Sequence, residues 1–142
     1  MKLEAPASGA HAITSVCTGS LLLAAAGLLR GKRAACHWAW RDLLREFGVV
    51  PDPGRVVRDG NVMTGGGVTA GIDMALTLLS ELEGPDVAES VALSIEYAPL
   101  PPFDCGRPEL ARPEILVAAR RRLEEFGAAR NAAAKQIGRA HV

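Results

Sequence analysis

The sequence predicts an α/β fold with a mostly parallel sheet and a nucleophile elbow. Residues 11–17 have the apolar character of a short buried strand, residues 19–30 are rich in helix formers, and Cys17 stands in the turn between them. Small residues, Ser15 and Gly19, lie two positions before and after the cysteine, where bulky side chains would clash in a sharp strand-to-helix turn. Strands that alternate with helices along the rest of the chain imply α/β layers and mostly parallel pairing.

A second strand, a helix and a hairpin are predicted after the elbow. Residues 33–37 are a candidate strand, and the apolar spacing over residues 38–47 predicts a helix. Gly48 follows at the position where a C-cap glycine belongs. Asp59-Gly60 separates two short β-prone runs, and this arrangement is a strong hairpin signal.

Three more helices are predicted in the second half of the chain. The first is amphipathic and ends at Gly84-Pro85, and prolines enforce an extended loop between the second and the third. The predicted bounds are 68–83, 86 to about 97, and 113–130. Residues 131–142 are expected to be a tail, of which 137–142 resemble one reading frame of a common DNA sequencing-library adapter.

Composition and charge restrict the functional classes. The 142 residues suffice for one domain, and 49% hydrophobic against 23% charged residues is enough for a buried core. Sixteen basic and sixteen acidic residues give zero net charge, so the overall charge gives no reason to expect binding to nucleic acid or an anionic membrane. No apolar run approaches the ~20 residues of a membrane span. Three cysteines form an odd, sparse set that indicates free thiols in a reducing compartment, hence a cytoplasmic protein.

Cys17 is the candidate nucleophile. A cysteine in an apolar context is ordinarily a buried inert thiol, but the elbow spacing and the following helix N-terminus favour a reactive thiolate. Cys36 lies among small apolar residues and is interpreted as a packing residue, whereas Cys105 lies in the Pro-rich loop without an identifiable partner. Three scattered histidines lack the spacing of metal ligands, so no metal site is predicted.

The order and spacing of several motifs resemble the ThiJ/PfpI superfamily, and within it the isonitrile hydratase branch. The central piece is Ser15-Val16-Cys17-Thr18-Gly19-Ser20, and Glu96-Tyr97-Ala98-Pro99 lies near the end of the match. The matching pieces, in chain order, are 15–23, 26–34, 37–38, 55–61, 64–73 and 96–99. Regulators of the AraC class carry a related domain with a very similar elbow, but Pro101-Pro102-Phe103-Asp104 is more similar to the hydratase branch.

The resemblance implies a flavodoxin-like sheet and a hydro-lyase that adds water to an isonitrile. In that chemistry the Cys17 thiolate adds to the terminal carbon, and water then converts the thioimidate into an N-substituted formamide. The implied partner is a small-molecule substrate, the isonitrile, with no cofactor required, and the complete protein is expected to be a homodimer. A ligand-sensing domain of an AraC-type regulator and another superfamily enzyme, such as a glyoxalase or deglycase, are the alternatives.

Five further residues complete the candidate site. Thr18 follows the nucleophile and offers a backbone N–H to an oxyanion and a hydroxyl to a water, unless it is an ordinary early-helix residue. His37 follows a predicted strand and matches a histidine that the superfamily keeps near its cysteine, unless it only hydrogen-bonds at the strand end. The resemblance places Gly66, Gly67 and Val68 beside the cysteine as pocket lining, with a purely structural turn as the other interpretation.

The elbow stands close to the start of this chain. Because the family fold has further β-α units before the elbow, residues 1–130 are expected to be the C-terminal part of a single domain. In the family, a carboxylate near the end of the first strand hydrogen-bonds the nucleophilic sulfur. None of Glu4, Asp42 and Asp59 occupies an equivalent position in the motif order.

Overall fold

Two small sheets carry the strands in the computed structural model, which describes residues 9–140. In chain order the strands are β1 (Ile13–Val16), β2 (Arg33–Ala34), β3 (Val50–Pro51), β4 (Val56–Asp59) and β5 (Val62–Gly65). Strand β5 lies between β1, which it pairs in parallel, and β4, which it pairs antiparallel, while β2 and β3 form a separate parallel pair. The pairing is therefore mostly parallel, and the antiparallel pair is the predicted hairpin, with Gly60 at a φ of 61°.

The first helix is shorter than the sequence predicts. In chain order the helices are α1 (Gly19–Ala25), a 3-10 helix (Arg41–Phe47), α2 (Ala70–Glu83), α3 (Pro85–Ser94) and α4 (Pro113–Ala140). Helix α1 stops because Gly27 adopts a φ of 80°. The Gly27 N–H then bonds the Ala24 carbonyl at 2.9 Å and the Leu28 N–H bonds the Leu23 carbonyl at 3.0 Å, which is the paired bonding of a Schellman ending.

The segment predicted as a helix over residues 38–47 is a turn followed by a 3-10 helix. The Trp40 N–H bonds the His37 carbonyl at 3.0 Å, and this tight turn delivers the chain to the start of the 3-10 helix. Seven residues are many for this helix type, and the complete burial of Leu44 holds the segment against the core. Gly48 ends it at a φ of 68°, which confirms the predicted C-cap glycine.

Helix α3 ends at Ser94 and not near residue 97, because the chain leaves it through a strained residue. Glu96 has a φ of 51°, a left-handed conformation that is uncommon outside glycine. The turn brings the Tyr97 hydroxyl within 2.8 Å of Asp73 Oδ1 on α2. Two local backbone bonds of the Schellman type, donated by the N–H groups of Glu96 and Tyr97, close the helix at this point.

Helix α4 continues past its predicted end at Arg130, because close contacts with the 3-10 helix and its flank run along it. A methyl group added to Gly127 would lie 2.8 Å from Trp40 Nε1, so the indole ring packs against the backbone of α4 where only glycine leaves room for it. Ala134 is buried in the core. The last part of the predicted tail, residues 141–142, lies outside the described residues.

The core fills the space between the strands and one layer of helices. Leu29, Leu44 and Val62 are completely buried in it, and each such side chain stabilises the fold by about 1.5–3 kcal/mol. The other buried members come from α1, β2, the 3-10 helix, α4 and the segments next to β2 and the 3-10 helix, and they are Leu21, Ala24, Ala34, Cys36, Trp40, Phe47, Val49 and Ala134. Within the described part of the chain, no helix has the length and apolar character needed to cross a bilayer.

Candidate active site

Cys17 stands at a nucleophile elbow between β1 and α1. Its φ is 61°, a conformation that non-glycine residues adopt rarely and that clusters at functional turns. Its backbone N–H bonds the Gly65 carbonyl at the end of β5 at 3.0 Å. A methyl group added to Gly19 would lie 3.4 Å from Ser15 Cβ, so the turn has no room for large side chains at these positions. The backbone therefore has the elbow that the spacing predicts, with the thiol half-buried.

A chain of buried hydrogen bonds holds the elbow from behind. The Ser20 hydroxyl donates to the Ala35 carbonyl at 2.6 Å, so its oxygen accepts the Ser15 hydroxyl at 2.7 Å. The Ala35 N–H in turn donates to Thr64 Oγ1 at 2.8 Å. Ser20 and Thr64 are completely buried. This chain connects β1, α1, the segment after β2 and β5, and the sequence reasoning did not identify it.

Thr18 caps α1 by position but not through its side chain. Its backbone is helical, with φ −74° and ψ −4°, and its hydroxyl makes no capping hydrogen bond. Its carbonyl accepts the Leu21 N–H at 3.0 Å, which begins the helix. The side chain is half-buried beside Cys17, so the hydroxyl is not committed to the helix end.

A cleft of about 790 Å³ lies beside the elbow and contains four of the predicted site residues. His37, Gly66, Gly67 and Val68 all line it. A methyl group added to Gly67 would lie 3.9 Å from His37 Cδ2, so these two residues are direct neighbours. Cys17 and Thr18 are not among the lining residues, although the Cys17 backbone bonds Gly65, the residue before this loop.

His37 is oriented by its own turn and by two indole rings. The Ala39 N–H donates to His37 Nδ1 at 3.3 Å, which ties the ring to its own turn. The ring centroid lies 5.5 Å from that of Trp38 and 4.9 Å from that of Trp40. His37 lies three residues beyond the end of β2 at Ala34, so the strand is shorter than the predicted 33–37 and a connecting segment carries the histidine.

Residues 66–69, which we call the glycine loop, connect β5 to α2. The Gly66 N–H bonds the Arg55 carbonyl at 2.9 Å, and the Gly67 carbonyl accepts the Ala70 N–H at 2.9 Å. Gly66 is buried, and a methyl group there would lie 3.6 Å from the Gly54 carbonyl oxygen. Val68 is 74% exposed on the cleft side. The loop is thus held tightly at its start and open toward the cleft at its middle.

A polar cluster at the end of the glycine loop was not recognised from the sequence. Arg55 Nε forms a very short ion pair with Asp73 Oδ2, and Arg55 Nη2 donates to Thr69 Oγ1 at 3.2 Å. The Tyr97 hydroxyl donates to the other carboxylate oxygen of Asp73. Desolvation alone would lower the pKa of Arg55, but the hydrogen bonds and charges of Asp73 and Tyr97 outweigh it and raise that pKa above its usual value. Arg55 is therefore charged at every pH at which the protein is handled.

The remaining cysteines differ in accessibility. Cys36 is 2% exposed and belongs to the core, which confirms its interpretation as a packing residue, while Cys105 is exposed. Asp73, on helix α2, has Arg55 and Tyr97 as partners. No group of three or more potential metal ligands occurs among residues 9–140.

Comparison with known proteins places these features in a family. The sequence profile of the DJ-1/PfpI family matches residues 4–81. Isonitrile hydratase from Pseudomonas putida is 58% identical over 120 residues, which cover 84% of this chain and 53% of that protein. The HTH-type transcriptional regulator CdhR from Pseudomonas aeruginosa is 38% identical over 79 residues, or 53% of this chain and 23% of the regulator.

A solved structure agrees with the sequence matches. A THiJ/PfpI family protein from Pseudomonas syringae superposes with a TM-score of 0.82 at 44% identity, covering 89% of this chain and 51% of that one. The chain thus spans about half the length of the hydratase and of this structural relative. The profile match, the identities and the shared fold together show that the chain belongs to the DJ-1/PfpI family.

Proposed function

We propose that the chain carries the cysteine-bearing part of an enzyme that adds water to an isonitrile and releases an N-substituted formamide. The observation that supports this most strongly is the 58% identity to the P. putida isonitrile hydratase. The left-handed Cys17 at the elbow is consistent with it, since the reaction requires one accessible nucleophile on a fixed turn and the residue is only half-buried.

The first step is addition of the Cys17 thiolate to the terminal carbon of the isonitrile. The sulfur electron pair forms the S–C bond while a proton is delivered to the same carbon, which gives a thioimidate, R–N=CH–S–Cys. The Cys17 N–H bonded to Gly65 keeps the elbow fixed during this step. The proton donor that we propose is the family carboxylate next to the sulfur, which first accepts the thiol proton and then passes it to carbon.

In the second step a water molecule attacks the thioimidate carbon. One proton of the water ends on nitrogen, the C–S bond breaks with its electron pair returning to sulfur, and the second water proton, released as the carbonyl forms, returns to the thiolate and carboxylate pair. The product is R–NH–CHO and the thiol is regenerated. Thr18 is our candidate for positioning this water, because its hydroxyl is not used as a helix cap. His37, Gly66, Gly67 and Val68 line the cleft in which we place the substituent R. The two steps use one water and need no cofactor.

Steady-state assay of formamide formation tests this function. The complete protein that contains this chain is mixed with a simple alkyl and a simple aryl isonitrile, and the formyl proton of the product is followed by NMR. We expect catalysis in the unaltered complete protein, the uncatalysed rate in Cys17→Ala, and no change in Cys105→Ala, the matched control in which an exposed thiol away from the elbow is removed. Equal rates in Cys17→Ala and the unaltered complete protein would rule out the proposed nucleophile.

A ligand-sensing role is the second candidate function, and the 38% identity to the regulator CdhR favours it. A sensing domain binds its ligand without turnover. Tight binding of an isonitrile or another small molecule with no formamide produced would therefore support sensing over catalysis. Conversion of a dicarbonyl substrate and not of isonitriles would instead support a glyoxalase or deglycase.

A cytoplasmic homodimer is the setting that we propose for the complete protein. No disulfide joins cysteines within residues 9–140, which is consistent with a reducing compartment. Sedimentation of the complete protein as a monomer at micromolar concentration would contradict the dimer.

A further inference from the structure

The glycine loop is held at its start by the backbone of one residue. The Arg55 carbonyl accepts the Gly66 N–H at 2.9 Å, in the segment that leads into β4. A methyl group added to Gly66 would lie 3.7 Å from this same carbonyl oxygen. The backbone of Arg55 therefore fixes the position of the first loop residue.

The side chain of the same residue reaches the end of the loop. Arg55 Nη2 donates to Thr69 Oγ1 at 3.2 Å, and Nε pairs with Asp73 one turn into α2. The Tyr97 hydroxyl occupies the remaining carboxylate oxygen of Asp73 at 2.8 Å, which holds the carboxylate toward Arg55. One residue thus contacts both ends of the loop, and Tyr97 fixes its counter-ion.

We propose that Arg55 is a positioning residue that clamps the glycine loop, residues 66–69, against the cleft. The loop begins directly after Gly65, which bonds the Cys17 backbone, and its Gly67 is the neighbour of His37. A shift of the loop therefore changes the wall of the cleft between the elbow and His37. The kinetic consequence rests on the proposed isonitrile hydration, whereas the clamp itself is a property of the structure alone.

A second ion pair provides a matched control. Arg58 on β4 pairs with Glu81 on α2 at 3.1 Å, so it also joins the hairpin to the same helix. The side chains are exposed to a similar degree, at 42% and 30% for Arg55 and Asp73 against 40% and 39% for Arg58 and Glu81. Surface pairs of this kind contribute little to stability. The two pairs differ in that Arg55, and not Arg58, also bonds the glycine loop.

Hydrogen exchange measured by mass spectrometry tests the clamp without any substrate. We expect Arg55→Gln to accelerate exchange in a peptide covering residues 62–69 by about tenfold, because the loop opens locally more often. Arg58→Gln should leave that peptide unchanged. Equal acceleration in both variants, or in neither, would overturn the proposal.

The Michaelis constant KM distinguishes positioning of the loop from a role of Arg55 in stability alone. Loss of folded protein lowers the apparent kcat and leaves KM alone, whereas a displaced loop weakens substrate binding. We expect KM to rise about tenfold in Arg55→Gln, less in Arg55→Lys, which retains the charge, and not at all in Arg58→Gln. An unchanged KM in Arg55→Gln beside normal turnover would overturn the positioning role.

A milder variant keeps the test decisive should Arg55→Gln fold poorly. Thr69→Val removes only the hydroxyl that Arg55 bonds and preserves the shape of the side chain. Faster exchange in the same peptide supports the clamp, and unchanged exchange contradicts it. If the unaltered complete protein shows no hydration at all, the proposed function fails while the exchange results still decide the clamp.

Discussion

Replacement of Thr64 by valine tests the buried hydrogen-bond chain behind the elbow. The change removes one oxygen and leaves the volume nearly constant, but the Ala35 N–H then loses the acceptor it has at 2.8 Å. Thr64 and Ala35 are both completely buried, so no water replaces that acceptor. An unsatisfied buried donor costs about 1–3 kcal/mol, and we expect the free energy of unfolding to fall by that amount.

Urea unfolding followed by tryptophan fluorescence at low protein concentration measures this change. The matched control is Thr77→Val, because the Thr77 hydroxyl is exposed and bonds only its own helix at Asp73 O. Exposed substitutions of this kind usually change stability by less than about 0.5 kcal/mol. The reasoning would be refuted if Thr64→Val shifted the urea midpoint no more than Thr77→Val does.

Three further predictions concern packing, thiol access and association. Gly127→Ala forces a methyl group to 2.8 Å from Trp40 Nε1, so calorimetry or urea unfolding should show a loss of about 1–3 kcal/mol; unchanged stability would contradict the close packing of α4. Iodoacetamide should alkylate Cys105 and Cys17 in the folded chain and Cys36 only after unfolding, and early labelling of Cys36 in a peptide map would argue against its burial. Large apolar side chains on α3, the following loop and α4 are exposed. The isolated chain should therefore bind apolar dyes and self-associate. A sharp, reversible thermal transition of a monomer would count against this prediction.

Local signals predicted the elements that depend on neighbouring residues. The hairpin at Asp59-Gly60 and the helix end at Gly48 follow from the positive φ that glycine adopts easily, and both are present. Strand β3 was not predicted, because two residues with one partner strand have no periodicity to detect. The 3-10 geometry before Gly48 depends on tertiary contacts, and α3 ends early at Glu96, a left-handed residue that is not glycine and that the sequence does not mark as a helix end.

In the candidate site too, residues marked by local motifs were predicted and residues that meet only in the fold were missed. Cys17 was found from its spacing, and His37 and the glycine loop from the resemblance, and the structure brings the last two together. The polar partners behind them were missed because they are distant in sequence: Ala35 and Thr64 are 29 residues apart, and Asp73 and Tyr97 are 24 apart. The motifs shared with the family contain Thr64, Asp73 and Tyr97, and this was the signal in the sequence that could have marked them as part of the site. Which residues bond to each other can be read only from the three-dimensional structure.

The most direct test of the central claim is mass spectrometry of the protein during a single turnover with an isonitrile. We predict a transient adduct, heavier than the protein by the mass of one isonitrile, located on Cys17 by peptide mapping. It should decay at the rate at which formamide appears. Formamide formed without an adduct, or an adduct confined to Cys105, would contradict covalent catalysis at the elbow.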